Sequence, residues 1–231
     1  MVGARGFEPP TPCAQGRCAT RLRYAPTGSI IAILPRFFAA PFLPARRYNE
    51  GLMTSLLYAA IAYVRSPVGI FVEQLRRELH PAHTHADAHL TVLPPRAIRG
   101  TEEQAIELLT EICRSTAPFE VTMGDVETFL PVTPTVFIRV ARGAYRMREL
   151  HDRMNRDAFL CNEPWPYMPH LTIVKADEAD EVPKVIGVAR ERWKEYSDTR
   201  RVRIAKLSFV KGNAERWIDL AAMPLGTAEG A

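Results

Sequence analysis

HLTVLPPR (89–96) and PYMPHLTIVK (166–175) are the stretches on which the reading of this chain turns. Each holds His-Leu-Thr followed by a β-branched residue, and the two histidines stand 81 residues apart. Val and Ile suit strands, and successive side chains of a strand point to opposite faces. His89 and Thr91 therefore share one face, with Leu90 and Val92 on the other. His170 and Thr172 stand against Leu171 and Ile173 in the same way. Each stretch predicts a short strand that offers an imidazole and a hydroxyl to one side and buries two apolar groups on the other.

The surrounding pattern repeats as well. Residues 55–64 (SLLYAAIAYV) read as a buried strand, and Pro67 suits the first turn of a helix carrying Phe71, Val72, Leu75 and Leu79. The first motif strand covers 88–93 and is expected to stop at Pro94-Pro95. Thr101 to Gln104 form a capping-box pattern that opens a helix to about Ser115. Strands follow at 119–127 and 135–140. A second helix-strand-helix series then runs through 143–156, 168–174 and 178–196, with Tyr145, Met147, Leu150 and Met154 expected on one helix face. Residues 201–210 and 215–222 read as strands joined at a Gly212-Asn213 turn, with Trp217 in the core. Equal order and similar spacing predict an internal duplication. The expected fold is α+β, with two pseudo-symmetric lobes, each an antiparallel sheet with flanking helices, around a central cleft.

Two imidazoles and two hydroxyls in one cleft suit phosphodiester chemistry. A neutral histidine takes a proton from water or a sugar hydroxyl, and a protonated one supplies the leaving oxygen. The threonine hydroxyls donate to non-bridging phosphate oxygens, where charge builds in the transition state. This scheme calls for no cofactor and no metal. A single H-x-T arises often by chance, whereas two copies on matching strands do not suit ordinary core histidines.

These two motifs resemble the signatures of the 2H phosphoesterase superfamily, which includes bacterial 2′-5′ RNA ligases and RNA cyclic phosphodiesterases. The aromatic-Pro-His run before the second motif, and FEVTMGDVETF followed by TVFIRV, are also similar to that family. The resemblance spans roughly 53–222. It implies His89 and His170 as the catalytic pair, Thr91 and Thr172 as phosphate ligands, and RNA or a nucleotide with a cyclic or 2′-5′ phosphate as partner. It implies a bilobal 2H domain over 53–231, acting on 2′,3′-cyclic ends or 2′-5′ links. Many members carry Arg where this chain has Lys175, which supplies charge without a bidentate fork. The alternatives are hydrolysis of a small cyclic nucleotide or an ADP-ribose cyclic phosphate, and a non-catalytic RNA-binding module.

Further candidates surround the motifs. Phe129 either stacks on a base or covers the core edge, and Tyr167 either lines the cleft or packs in the core. Arg96 and Arg99 follow the first motif and could meet a phosphate chain. His80, His83 and His85 crowd one loop, which reads as solvated because only Asp87 stands near them as a further ligand. His151 reads as a surface or helix-packing residue, and Trp165, between two prolines, as a loop anchor.

Composition sets the frame. Hydrophobic content of 47% with 24% charged residues suits a globular chain rather than a disordered one. The formal charge of +4 misleads, because residues 1–52 hold seven Arg, no Lys and two acids. From Met53 onward 23 basic residues meet 24 acids, so the basic balance of the whole chain says little about a nucleic-acid-binding face on the folded part. Cys13, Cys18, Cys113 and Cys161 form neither a disulfide framework nor a zinc spacing, and predict a reduced, cytoplasmic setting. The run 29–44 is broken by Arg36 and three prolines, so neither a membrane span nor a secretion signal is expected. A monomer is expected.

Residues 1–52 hold seven of the chain's 19 prolines and no helical or strand period. Their opening resembles translation through a transfer-RNA gene, with Met53 then the natural start; the alternative is a disordered tail. Met53–Ala231 is therefore expected to fold alone. Expression of that fragment checks this, and an insoluble or unfolded product would refute it.

Overall fold

The computed structural model describes residues 57–81, 87–212 and 217–226. Among these the elements are β1 (Leu57–Tyr63), α1 (Pro67–Leu79), β2 (His89–Arg96), α2 (Glu102–Arg114), β3 (Phe119–Thr128) and β4 (Thr135–Arg142). They continue with α3 (Ala144–Met154), β5 (His170–Lys175), α4 (Val182–Glu195), β6 (Arg201–Ile204), β7 (Lys206–Gly212) and β8 (Trp217–Pro224). A 3₁₀ turn covers Asp157–Phe159.

The strands form one antiparallel sheet in the order β6-β3-β4-β5-β2-β1-β7-β8. Its two halves of four strands meet where β2 lies beside β5, so the expected α+β lobes share a sheet. That seam is short: Leu90 opposite Leu171 is the one pair recorded between them. The duplicated units interleave across it, because α1 packs against β5 while α3 packs against β2.

Local chemistry accounts for the helices. Pro67 opens α1, and Thr101 closes a full capping box with Gln104 at the start of α2. Pro183 stands in the first turn of α4. Gly143 caps α3 at φ 77°, and a Cβ there would stand 2.5 Å from the Glu120 carbonyl oxygen, so only glycine suits the position. The helices cover one face of the sheet. Leu90, Val92, Leu171 and Ile173 join Val72, Leu75, Leu109, Met147 and Leu150 in one buried cluster there.

Four expectations need correction. β2 does not stop at the prolines but runs through Pro94 and Pro95 to Arg96. Its ladder with β1 is irregular there, with Ala60 opposite Leu93 and then Tyr58 opposite Arg96, and no β5 pairing reaches that far. Missing N–H groups cost little at such a place. The single strand expected over 201–210 is two strands in opposite halves: β6 pairs with β3 and β7 with β1. The buried set moves from Val202 and Ile204 to Leu207 and Phe209, a one-residue slip of the two-residue period that marks the break. Tyr145 is exposed, because it lies two residues from Met147 and so on the far side of α3. Trp217 is only half-buried and packs with Tyr63 on Ala59, Ile61 and Val210, outside the main core. Asn213, of the expected turn, lies outside the described residues, as do residues 1–52, His83 and His85.

Candidate active site

Strand register assembles the site. With Leu90 opposite Leu171, antiparallel pairing sets His89 opposite Thr172 and Thr91 opposite His170. Directly opposed side chains share a face, and both leucines are fully buried toward the helices. The two histidines and two threonines therefore stand together on the other face, each half-buried.

A bulge follows each motif at the same place in both repeats. Ile61 pairs with Thr91 and Ala60 with Leu93, so Val92 is the extra residue. Phe137 pairs with Thr172 and Val136 with Val174, so Ile173 is the extra residue. A bulge resets the alternation of faces. Lys175, opposite Thr135, thereby turns to the face that carries His170 and Thr172. The equivalent position in the first motif is Pro94, so only the second half supplies a cation there.

Both rings are held alike. His89 Nδ1 lies 2.7 Å from the Asp87 carbonyl oxygen, and His170 Nδ1 lies 2.7 Å from that of Met168. A carbonyl only accepts, so each Nδ1 carries a proton and each Nε2 is left for chemistry. Burial pushes His89 down to about 4; the Asp87 carbonyl works against this, and the charges of Arg76, Lys175 and His170 add to it. His170 is also lowered, mainly by burial, against the Met168 carbonyl and with help from Lys175. Burial lowers Lys175 itself, and Arg76 lowers it further.

The backbone of the motifs is anchored from the protein side. Arg76 of α1 donates to the Thr172 carbonyl through Nε (3.2 Å) and Nη2 (2.7 Å). Tyr167 donates its hydroxyl to the Thr91 carbonyl at 2.7 Å and stacks on His151, with ring centres 4.1 Å apart. The buried His151 in turn donates from Nδ1 to the Val92 carbonyl at 2.9 Å. Tyr167 thus packs beneath the first motif. Phe129 stacks on Phe137 at 4.1 Å and meets the His170 ring edge-on at 4.9 Å, so it borders the site.

The Arg96 side chain points into the protein. It is buried, with Nε on the Pro94 carbonyl, Nη1 on Asn155 Oδ1 and the Phe159 carbonyl, and Nη2 on Glu163. Those donors tie the first motif to the segment before the second. Arg99 is exposed and donates its backbone N–H to the Ala158 carbonyl. His80 pairs with Asp177 at 3.5 Å, and Asp87 pairs with Arg65 at 3.7 Å. Trp165 is exposed rather than anchored. Among the described residues no three His, Cys, Asp or Glu side chains converge as a metal set. No helix among them is long and apolar enough to cross a membrane. A depression lined by Val64, Arg65, Ile70, Glu73, Asp87 and Ala88 lies next to the start of β2, and neither motif histidine lines it.

Sequence reasoning missed Arg76, Phe137, Arg139 and Glu163. Arg76 had a signal, a charge on the apolar stripe of Val68, Val72 and Leu75. Arg139 had one too, as the lone charge within TVFIRV, in phase with Phe137.

The family model described as the 2′-5′ RNA ligase superfamily matches residues 64–216. A provisionally named phosphoesterase of Oceanobacillus iheyensis is 31% identical over 114 residues, covering 49% of this chain and 66% of that protein. One from Halalkalibacterium halodurans is 26% identical over 131 residues, covering 56% and 76%. The crystal structure of Escherichia coli LigT complexed with 3′-AMP superposes with a TM-score of 0.50 at 15% identity, covering 74% of this chain and 98% of that one. That likeness speaks for the fold alone.

The burial of Arg96 has a measurable consequence. Arg96→Ala is expected to lower unfolding stability in urea by about 3–5 kcal/mol, because it removes the guanidinium from the half-buried Glu163 and leaves that carboxylate facing the His151 ring at 3.5 Å. A stably folded Arg96→Ala protein with only a raised KM would return Arg96 to the substrate.

Proposed function

The chain belongs to the 2′-5′ RNA ligase superfamily, a family of 2H phosphoesterases, and from that membership we propose that it opens RNA 2′,3′-cyclic phosphate ends to 2′-phosphates. The same groups run in reverse make or break 2′-5′ links. The observation that carries the reading is the Leu90–Leu171 register, which sets two H-x-T motifs side by side on one face.

In hydrolysis His89 Nε2 takes a proton from water as the water oxygen attacks phosphorus. The bond from phosphorus to O3′ breaks, and the Nε2 proton of His170 passes to O3′. Thr91 and Thr172 hydroxyls donate to the non-bridging oxygens, and Lys175 adds positive charge. The lowering of His89 to about 4 supports its role as base, since it is neutral across the working range. A bound phosphate anion favours the protonated form of His170 and so supports its role as acid. Arg76 and Tyr167 hold the two threonine carbonyls and so position the hydroxyl-bearing residues. Phe129 borders the cleft on the His170 side and is placed to contact a base. The solved complex of LigT with 3′-AMP is consistent with a nucleotide in this cleft.

Turnover of adenosine 2′,3′-cyclic phosphate in the presence of EDTA tests the reading. Loss of turnover that zinc or manganese restores would overturn metal-independence. His89→Ala and His170→Ala should each lower kcat by about 10²–10⁴-fold. The double variant should be only slightly worse than the poorer single one, because the pair acts as a unit. Thr91→Ala and Thr172→Ala should cost less, roughly 1–4 kcal/mol each in the transition state. A folded His170→Ala protein with near-normal turnover would refute the scheme.

The pH profile of kcat/KM gives a second test. It should rise as His89 loses its proton, through about 4, and fall as His170 loses its own, below the ordinary imidazole value of about 6.5. Because both values are lowered, the optimum should lie on the acid side of neutrality rather than centred on it. A plateau extending above pH 8 would exclude His170 as the acid.

A further inference from the structure

The internal duplication provides its own control on the site. Each histidine has one cross-strand neighbour on the outer side: Tyr63 stands opposite His89, and Arg139 stands opposite His170. By register both neighbours share the histidine face. Tyr63 is committed to β8, donating its hydroxyl to the exposed Asp219 at 2.8 Å with the Arg65 guanidinium over its ring. Arg139 is a guanidinium in the equivalent place. The two halves, alike in their H-x-T motifs, differ here in how the cation is held: Arg65 lies on the Tyr63 ring and pairs with Asp87, whereas Arg139 itself takes the strand position opposite the histidine.

The Arg139 side chain turns away from His170 toward β3, where Nε meets Glu127 Oε1 at 2.9 Å. Both side chains are well exposed, at 44% and 38%. Among the described residues that is the contact recorded for the Arg139 side chain, and it uses Nε, leaving the two Nη groups as a fork toward solvent. An exposed ion pair of this kind adds little to stability. Its effect is to orient a guanidinium whose open edge matches a phosphate. Strands lie about 4.8 Å apart, so the guanidinium sits about one to two strand spacings from the histidine strand. That is too far out for the phosphate held between His89, His170, Thr91 and Thr172. Lys175 serves that phosphate from the opposite end, where Thr172 faces His89.

We propose that Arg139, oriented by Glu127, forms a second phosphate subsite that takes the 5′-side phosphate of the nucleotide whose 2′,3′-cyclic phosphate lies at the histidines. This rests on the reading of the site as a 2′,3′-cyclic phosphodiesterase and refines its substrate class. The preferred substrate carries two phosphates flanking one ribose. The duplication also assigns a direction. The upstream phosphate lies on the His170 side, where β4 presents a guanidinium bonded through Nε alone, and not on the His89 side, where the Arg65 guanidinium lies on the Tyr63 ring and pairs with Asp87.

The test compares three substrates: adenosine 2′,3′-cyclic phosphate, its 5′-phosphorylated form, and a dinucleotide ending in the same cyclic phosphate. The wild-type protein should favour the two phosphate-bearing substrates in kcat/KM by about 10–100-fold, the usual worth of hydrogen bonds to charged groups. Arg139→Ala should bring that ratio close to one, and Arg139→Lys should keep part of it, since a point charge replaces a fork. Preference for the dinucleotide alone identifies an internucleotide phosphate as the ligand, and preference for the 5′-phosphate alone a mononucleotide; both support the subsite. A ratio equal in wild type and Arg139→Ala overturns it, as does an equal loss on all three substrates. If wild type turns over none of them, the phosphodiesterase reading fails, and calorimetry then decides the subsite. Adenosine 2′,5′-bisphosphate should bind more tightly than adenosine 2′-monophosphate to wild type but not to Arg139→Ala. Equal affinity for the two ligands in wild type would sink the inference by itself.

Discussion

One antiparallel contact, Leu90 against Leu171, underlies the rest of the molecule. Two fully buried leucines contribute about 1.5–3 kcal/mol each, and they do so on the helix side of the sheet, away from solvent. Their pairing leaves no freedom about the other face. A slip of one residue would bury an imidazole among leucines and expose a leucine to the cleft, so hydrophobic burial enforces the register. The alignment of the polar groups is thus set by apolar packing on the far side of the same strands.

The seam is short, and short seams leave backbone groups to be satisfied by other means. Here side chains do this on the protein side of both motifs. Arg76 takes the Thr172 carbonyl, Tyr167 the Thr91 carbonyl and His151 the Val92 carbonyl. Because α1 and α3 each cross to the strand of the opposite half, these anchors also lock the halves together. A buried guanidinium brings an electrostatic consequence. Its charge lies close enough to His89 and Lys175 to make both less basic. Structure and proton chemistry are therefore coupled through one residue.

Duplication supplies symmetry, and the departures from it give the site its direction. Bulges at Val92 and Ile173 occupy matching positions, but the residues turned onto the face after them are Pro94 and Lys175. Tyr63 and Arg139 differ in the same manner. A symmetric pair of imidazoles has no built-in acid and base. The uneven distribution of charge around them separates their tendencies and makes one end of the cleft unlike the other.

Much of this was present in the sequence. The two H-x-T strands, their shared faces, the capping box of α2 and the order of elements follow from periods of two and 3.6 residues, and those periods are local properties. The slip between Ile204 and Leu207 was also legible, although it is easily read as one long strand. The tertiary structure alone decided which strands are neighbours, because strand order depends on burial between segments far apart in sequence. It placed β6 and β7 in opposite halves, and it carried β2 through two prolines where no ladder needed their N–H groups. It also decided the fate of the arginines. Arg96 looked free to meet a phosphate but is buried by Glu163, 67 residues away in sequence, whereas Arg139, inside an apolar strand opposite His170, is exposed and pairs with Glu127. Whether a charge is buried or exposed depends on partners that the chain brings together only by folding.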